Sequence, residues 1–167
     1  MLEIKNNNSN YLCKVVELKN LRKHPNADRL QTVNIGMNTV ITGLEAKEGD
    51  LHVYFPLECK INSDFLSYTN SFRDKSKNKN PEAVGFFEEN CRVRAMKLRG
   101  EKSMGYVVPV SQVFEWSEAG FAVKEDVDKE FDTINGKLLV EKYESKVKKN
   151  PAKPSSGKKP KLDRLVE

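Results

Sequence analysis

The sequence predicts a mainly β fold: a small barrel of about five short strands with short helices and a disordered basic C-terminal tail. Short runs rich in β-branched and apolar residues alternate with Gly, Asn and Pro punctuation. No long amphipathic helix separates these runs, which argues against an α/β layout. From Lys146 onward Lys, Pro, Ser and Gly dominate, so no apolar face can form there.

Tyr11–Leu21 reads as a long, partly alternating first strand. Lys23–Asp28 is a turn: Pro25 blocks ladder pairing, and Asn26 and Asp28 favour turns by bonding their own backbone. Arg29–Gly36 is the second strand, with Leu30, Val33 and Ile35 expected to face the core. Gly36–Asn38 suits a hairpin turn, Thr39–Thr42 is the third strand, and Glu45–Asp50 is a polar turn. Leu51–Phe55 is the fourth strand, ended by Pro56. Asn62–Tyr68 reads as a short helix capped by Asn62 or Ser63. Ser71–Asn80 is polar and basic and reads as an exposed, mobile loop, after which Phe86 and Phe87 return the chain to the core. Cys91–Arg99 is a basic strand, Gly100–Ser103 its turn, and Met104–Val108 a buried strand ending at Pro109. Val93, Ala95 or Met96, Val107 and Val108 are the expected core residues here. Val110–Trp116 is a short helix, Glu125–Phe131 an acidic connection, and Lys137–Tyr143 a final strand. An insertion before the last barrel strand fits an OB-fold, a partly open Greek-key barrel, with an SH3-type barrel as the alternative. The domain plan is an OB-fold nucleic-acid-binding domain over 1–115, a C-terminal extension over 116–145, and a Lys/Pro-rich linker over 146–167.

The 167 residues allow one domain and a tail, and the 38% hydrophobic content allows only a lean core. No run of about 18 apolar residues suggests a membrane span, and the N-terminus lacks a signal-peptide core, so a cytoplasmic protein is expected. Cys13, Cys59 and Cys91 are widely spaced without a CxxC pair, so neither a metal site nor a disulfide framework is expected. The net charge is +5, but residues 142–167 alone contribute +6 and the rest sums to −1. A nucleic-acid argument must therefore rest on local clustering.

That clustering lies in the basic strand and its turn, where Arg92, Arg94, Lys97, Arg99 and Lys102 crowd like charge into one hairpin. Phosphates are the usual counter-surface. On an unbroken strand Arg92 and Arg94 share one face and Lys97 and Arg99 the other; a bulge near Ala95 would bring them to one side. The bland alternative is a solvated face balanced by Glu88, Glu89 and Glu101. Arg73 and Lys75 in the polar loop could grip a backbone, and Tyr68 and Phe72 beside it are candidates for base stacking. His24, Pro25, Asn26 and Asp28 are read as a structural turn rather than a metal or acid–base site. Gly100–Gly105 exposes backbone N–H groups but lacks the full phosphate-loop pattern.

His24–Leu30, Gly49–Tyr54 and Arg92–Pro109 together resemble the N-terminal domain of an ATP-dependent RNA ligase family of phages and bacteria, the branch related to the Deinococcus RNA ligase. The resemblance spans about residues 11–145 and is strongest in the basic hairpin. It implies a non-catalytic OB-fold domain that helps a ligase engage RNA, a nicked duplex or a tRNA, for joining a 3′-OH to a 5′-phosphate. It also implies a downstream nucleotidyltransferase domain using ATP and Mg2+ or Mn2+, in the bacterial cytoplasm or a phage host's. This chain itself is expected to bind no cofactor. The ligase nucleophile sits in K-x-[DHN]-G, whereas this chain has Lys161-Leu-Asp-Arg164, with arginine where glycine is needed. The His24–Leu30 heptad also resembles tRNA-binding OB modules appended to aminoacyl-tRNA synthetases, and a protein-interaction scaffold is the third reading.

Overall fold

The computed structural model describes residues 2–5, 11–120 and 124–144; the expected linker and its disorder lie outside these. In chain order the elements are β1 (Leu2–Glu3), β2 (Cys13–Glu17), β3 (Arg22–Lys23), β4 (Leu30–Ile35), β5 (Asn38–Gly43), β6 (Leu51–Phe55), β7 (Cys59–Ile61) and α1 (Ser63–Tyr68). Then come β8 (Met96–Leu98), β9 (Glu101–Ser103), β10 (Tyr106–Pro109), α2 (Val110–Ser117), β11 (Glu130–Phe131), β12 (Thr133–Ile134), β13 (Lys137–Leu138) and β14 (Val140–Lys142).

The fold is mainly β, as expected, and its strand neighbours follow one circuit. β3 pairs with β4, β4 with β5, β10 with β6, and β6 with β2, all antiparallel. The expected first strand is split into β2 and β3 because Asn20 takes a left-handed conformation (φ 61°) and turns the chain between two sheets. No ladder joins β5 to β10, so the sheets do not close into one barrel. Instead two hydrogen bonds cross this seam: Met104 N–H to the Thr39 carbonyl (2.8 Å) and Ile41 N–H to Ser103 Oγ (2.9 Å). Gly105, at φ 130°, kinks the chain between these bonds and β10. A Cβ there would lie 2.8 Å from Tyr54 Oη and 2.9 Å from the Phe55 carbonyl, so only glycine fits.

The central sheet, ordered β10-β6-β2-β11, is covered on both sides. Val53 and Phe55 of β6 join the larger core with Cys13 and Val15, while Tyr54 joins the smaller core with Val16, Val33, Val40 and Val107. Two covered faces explain why Leu51–Phe55 is continuously apolar or aromatic save for His52. The larger core continues into the insertion and C-terminal segments through Phe65, Phe114, Phe131 and Leu139. α1 starts at Asn62, whose side chain accepts from Asp64 N–H, as the capping rule predicts. The final strand is interrupted at Leu139, and its second half, β14, pairs with β7.

Some local expectations change. Val93, Val107 and Val108 are buried, but Ala95 is exposed and Met96 only half-buried. Cys91–Ala95 is not a continuous strand; it runs beside β7 through bonds such as Val93 N–H to the Cys59 carbonyl (2.9 Å). Glu101–Ser103 is strand, not turn. The turn is Arg99-Gly100, both left-handed (φ 51° and 89°), as a two-residue hairpin of type I′ requires. The Ser71–Asn80 loop has its own frame: buried Asn78 accepts from Phe72 N–H and donates to the Phe72 and Ala83 carbonyls. Among the described residues, no helix is long and apolar enough to cross a membrane.

Candidate nucleic-acid interface

β8 and β9 form a hairpin whose register puts Lys97 directly opposite Lys102. Residues opposite each other share a face, so both ammonium groups stand on the same exposed side, at a separation where like charges destabilise a ladder. Met96, Leu98 and Ser103 take the other face. Arg94 and Arg99 are also exposed. None of these four cationic side chains has an ion pair or hydrogen bond among the described residues. Of the carboxylates that might have balanced them, Glu88 pairs with Arg73 (2.7 Å) and Glu89 with Lys77 (3.8 Å), while Glu101, opposite Leu98, lies on the other face of the hairpin from Lys97 and Lys102.

A clamp holds this hairpin from the outside, and it is built by the His24–Leu30 motif. His24 N–H bonds the Leu30 carbonyl (3.0 Å), closing the turn. The His24 ring is fully buried, at 0% exposure. Asn26 N–H donates to its Nδ1 (3.0 Å), so the ring proton sits on Nε2, which donates to the Leu98 carbonyl (2.9 Å). Asn26 Nδ2 donates to the Arg99 carbonyl (2.7 Å). Two segments separated by about seventy residues of chain are thus tied at consecutive carbonyls of the basic turn. Asp28 only meets Lys23 at the surface (3.5 Å), and Pro25 lies within the turn.

The remaining candidates divide. Arg92 is engaged: Nη2 and Nε reach Glu58 Oε1 at 2.7 and 2.8 Å, and the guanidinium lies 5.0 Å from the Tyr143 ring centroid. Lys75 is exposed on a short 3-10 turn. Tyr68 is half-buried, with Lys79 Nζ 4.9 Å from its ring centroid. Phe72 is buried in the core and bridged to Phe87, so its ring is not presented at the surface. The structure therefore pairs Lys97 with Lys102 on one face of the hairpin and leaves Arg94 and Arg99 exposed beside it in the chain, while Arg73, Lys75, Tyr68 and Phe72 belong to the insertion.

Beside the hairpin, at the open seam, lies a groove of about 590 Å³. Ile41, Met96, Leu98 and Tyr106 supply apolar walls; Arg73, Arg92, Arg94, Glu45 and Glu88 supply charge. Phe86 also lines it and is 41% exposed. Sequence reasoning assigned Phe86 to the core with Phe87. No local signal separates the two, because the rings of Phe86 and Phe87 stack on each other and only the outer one meets solvent.

The thiols are not chemistry. Burial pushes Cys13, Cys59 and Cys91 above their ordinary range, keeping them protonated. No group of three or more His, Cys, Asp or Glu side chains among the described residues could hold a metal ion.

A family model of an OB-fold domain matches residues 12–110. No curated protein sequence matches the chain. Among solved structures, the chain is similar to a lysine-to-alanine mutant of Naegleria gruberi RNA ligase with ATP and Mn. That match has 18% identity and a TM-score of 0.52, covering 86% of this chain and 36% of that one. A glutamate-to-alanine mutant of the same ligase with AMP and Mn matches at 21% identity and TM-score 0.51, covering 80% and 35%. The ligase with PPi matches at 20% identity and TM-score 0.51, covering 81% and 36%. The chain thus spans about a third of the length of these ligases, and at such identity the likeness is one of fold. Its strand circuit and the match of that family model to more than half of its residues show that the chain belongs to this OB-fold domain family.

Proposed function

We propose that this chain is the nucleic-acid-binding N-terminal part of an ATP-dependent RNA ligase of the Deinococcus-related branch, non-catalytic by itself. It holds RNA ends while a downstream nucleotidyltransferase domain joins 3′-OH to 5′-phosphate. One observation carries the reading: Lys97 faces Lys102 across the ladder, with Arg94 and Arg99 nearby in the chain, and no carboxylate pairs with any of them among the described residues. A fold keeps such a surface when its counter-charge arrives with the ligand. The His24–Asn26 clamp fixes the turn before RNA arrives, which lowers the ordering cost of binding. Arg and Lys on a twisted hairpin meet phosphates more readily than base edges, so the contact is sequence-independent.

ATP and the divalent metal belong, in this reading, to the downstream domain. The described residues offer no metal cluster, and the chain contains no K-x-[DHN]-G.

The test is a fluorescence-anisotropy titration of labelled single-stranded RNAs of different sequence with the full chain and with its R94A/K97A/R99A/K102A variant. The variant weakens binding to every sequence by the same factor. Unchanged affinity overturns the reading.

A further inference from the structure

We infer that the groove at the open seam is a stacking site for one unpaired nucleobase, with Phe86 as its platform. This rests on the RNA-binding reading above and adds a substrate class to it: RNA ends carrying an unpaired nucleotide.

Phe86 is held as a platform should be. Its ring stacks on Phe87 (centroids 4.8 Å apart, 28° between planes), and Tyr106 packs edge-on against both, at 5.5 and 4.9 Å. Phe87 is buried, whereas Phe86 is 41% exposed and lines the groove. The backbone beneath is fixed as well. Gly85 N–H bonds the Phe72 carbonyl, Phe87 N–H the Ser71 carbonyl (both 2.9 Å), and a Cβ on Gly85 would collide with the Ser71 backbone. An aromatic ring left half in water yet fixed from behind provides a flat apolar face at low entropic cost.

The groove also offers what the rest of a nucleotide needs. β5 and β10 are edge strands of their sheets, and both line it. On the β5 edge Ile41 N–H is taken by Ser103 Oγ and the Gly43 carbonyl by Gln31 and Ala46, so the polar side chains of Thr42 and Gln112, which also line the groove, are the groups left for the hydrogen-bonding edge of a base. Arg94, without a partner among the described residues, lines the same groove and meets the attached phosphate. Ile41, Met96 and Leu98 supply apolar walls. At about 590 Å³ the groove is within the usual range for small-ligand sites. Lys97 and Lys102 project from the opposite face of the hairpin, so the base site and the phosphate track lie on its two sides.

The experiment uses the full chain and labelled hairpin RNAs that are blunt, end in one unpaired 3′ adenosine, or end in the same nucleotide without its base. Wild type binds the adenosine end about tenfold more tightly than the abasic end, in line with one stacked base. F86A loses this difference, F86W restores it, and both keep the wild-type slope of affinity against salt. An unchanged urea midpoint for F86A shows that the fold is retained. If wild type does not distinguish the two ends, or if F86A still does, the inference is wrong while the RNA-binding reading stands. If wild type binds none of the RNAs with a salt-dependent affinity, the RNA-binding reading fails and this inference with it.

Discussion

Replacing His24 by alanine is the most informative single perturbation of the clamp. The ring is fully buried and makes two hydrogen bonds, to Asn26 N–H (3.0 Å) and the Leu98 carbonyl (2.9 Å). Each such bond contributes about 1 kcal/mol net, and the cavity left by the ring adds about 1–2 kcal/mol. The expected loss is therefore about 3–4 kcal/mol. With a urea m-value of about 2 kcal/mol/M, the unfolding midpoint falls by about 1.5–2 M. N26A is the companion. It removes the bond to the Arg99 carbonyl but no buried ring, so it costs about 1 kcal/mol and leaves the chain folded. In N26A the hairpin loses part of its preorganisation, and RNA affinity falls although no cation has been touched. A midpoint shift below about 0.3 M for H24A, or unchanged RNA affinity in N26A, would refute the clamp.

Three other outcomes follow from the same structure. Burial lowers His52 below its ordinary value of 6.5, so below that pH the unfolded chain takes up a proton that the folded one resists. His52 therefore contributes stability that is full above about pH 6.5 and is lost as pH falls through the folded value; comparing urea midpoints at pH 7 and pH 5 shows a smaller drop for H52Q than for wild type. G105A destabilises by about 2 kcal/mol or more in the same assay, because its Cβ meets Tyr54 and Phe55 at a left-handed backbone position. Incubation of the chain with ATP and Mg2+ or Mn2+ gives no covalent AMP adduct by mass spectrometry, and a one-AMP mass increase, with Lys161 the first suspect, would contradict the non-catalytic reading.

Much of the fold was legible because local chemistry and tertiary structure agree. Pro56 ends β6, Asn62 caps α1, and Gly36 turns β4 into β5, each a backbone effect within a few residues. The breaks were not legible. Asn20 and Arg99 adopt left-handed conformations that neither residue type demands, and these decide where the first strand splits and where the basic hairpin turns. For the site, the cation cluster was visible as composition, but its pairing was not. Lys97 and Lys102 became a cross-strand pair only once the turn shrank to two residues. Arg92 read as part of the cluster, yet Glu58, far away in sequence, claims it. The His24 motif read as a turn, which it is. That its ring and Asn26 reach across to the basic turn is a long-range fact without a local signature.

The most direct test of the account is the salt dependence of RNA binding in three proteins: the full chain, its R94A/K97A/R99A/K102A variant, and a chain ending at residue 145. Four cations engaging single-stranded RNA give log K against log salt a slope of roughly −3. The account predicts that the quadruple variant loses about that much slope, and that the shortened chain keeps it even though residues 142–167 carry a net +6. A shortened chain that no longer binds, beside a quadruple variant with an unchanged slope, would place RNA binding in the tail and contradict the account.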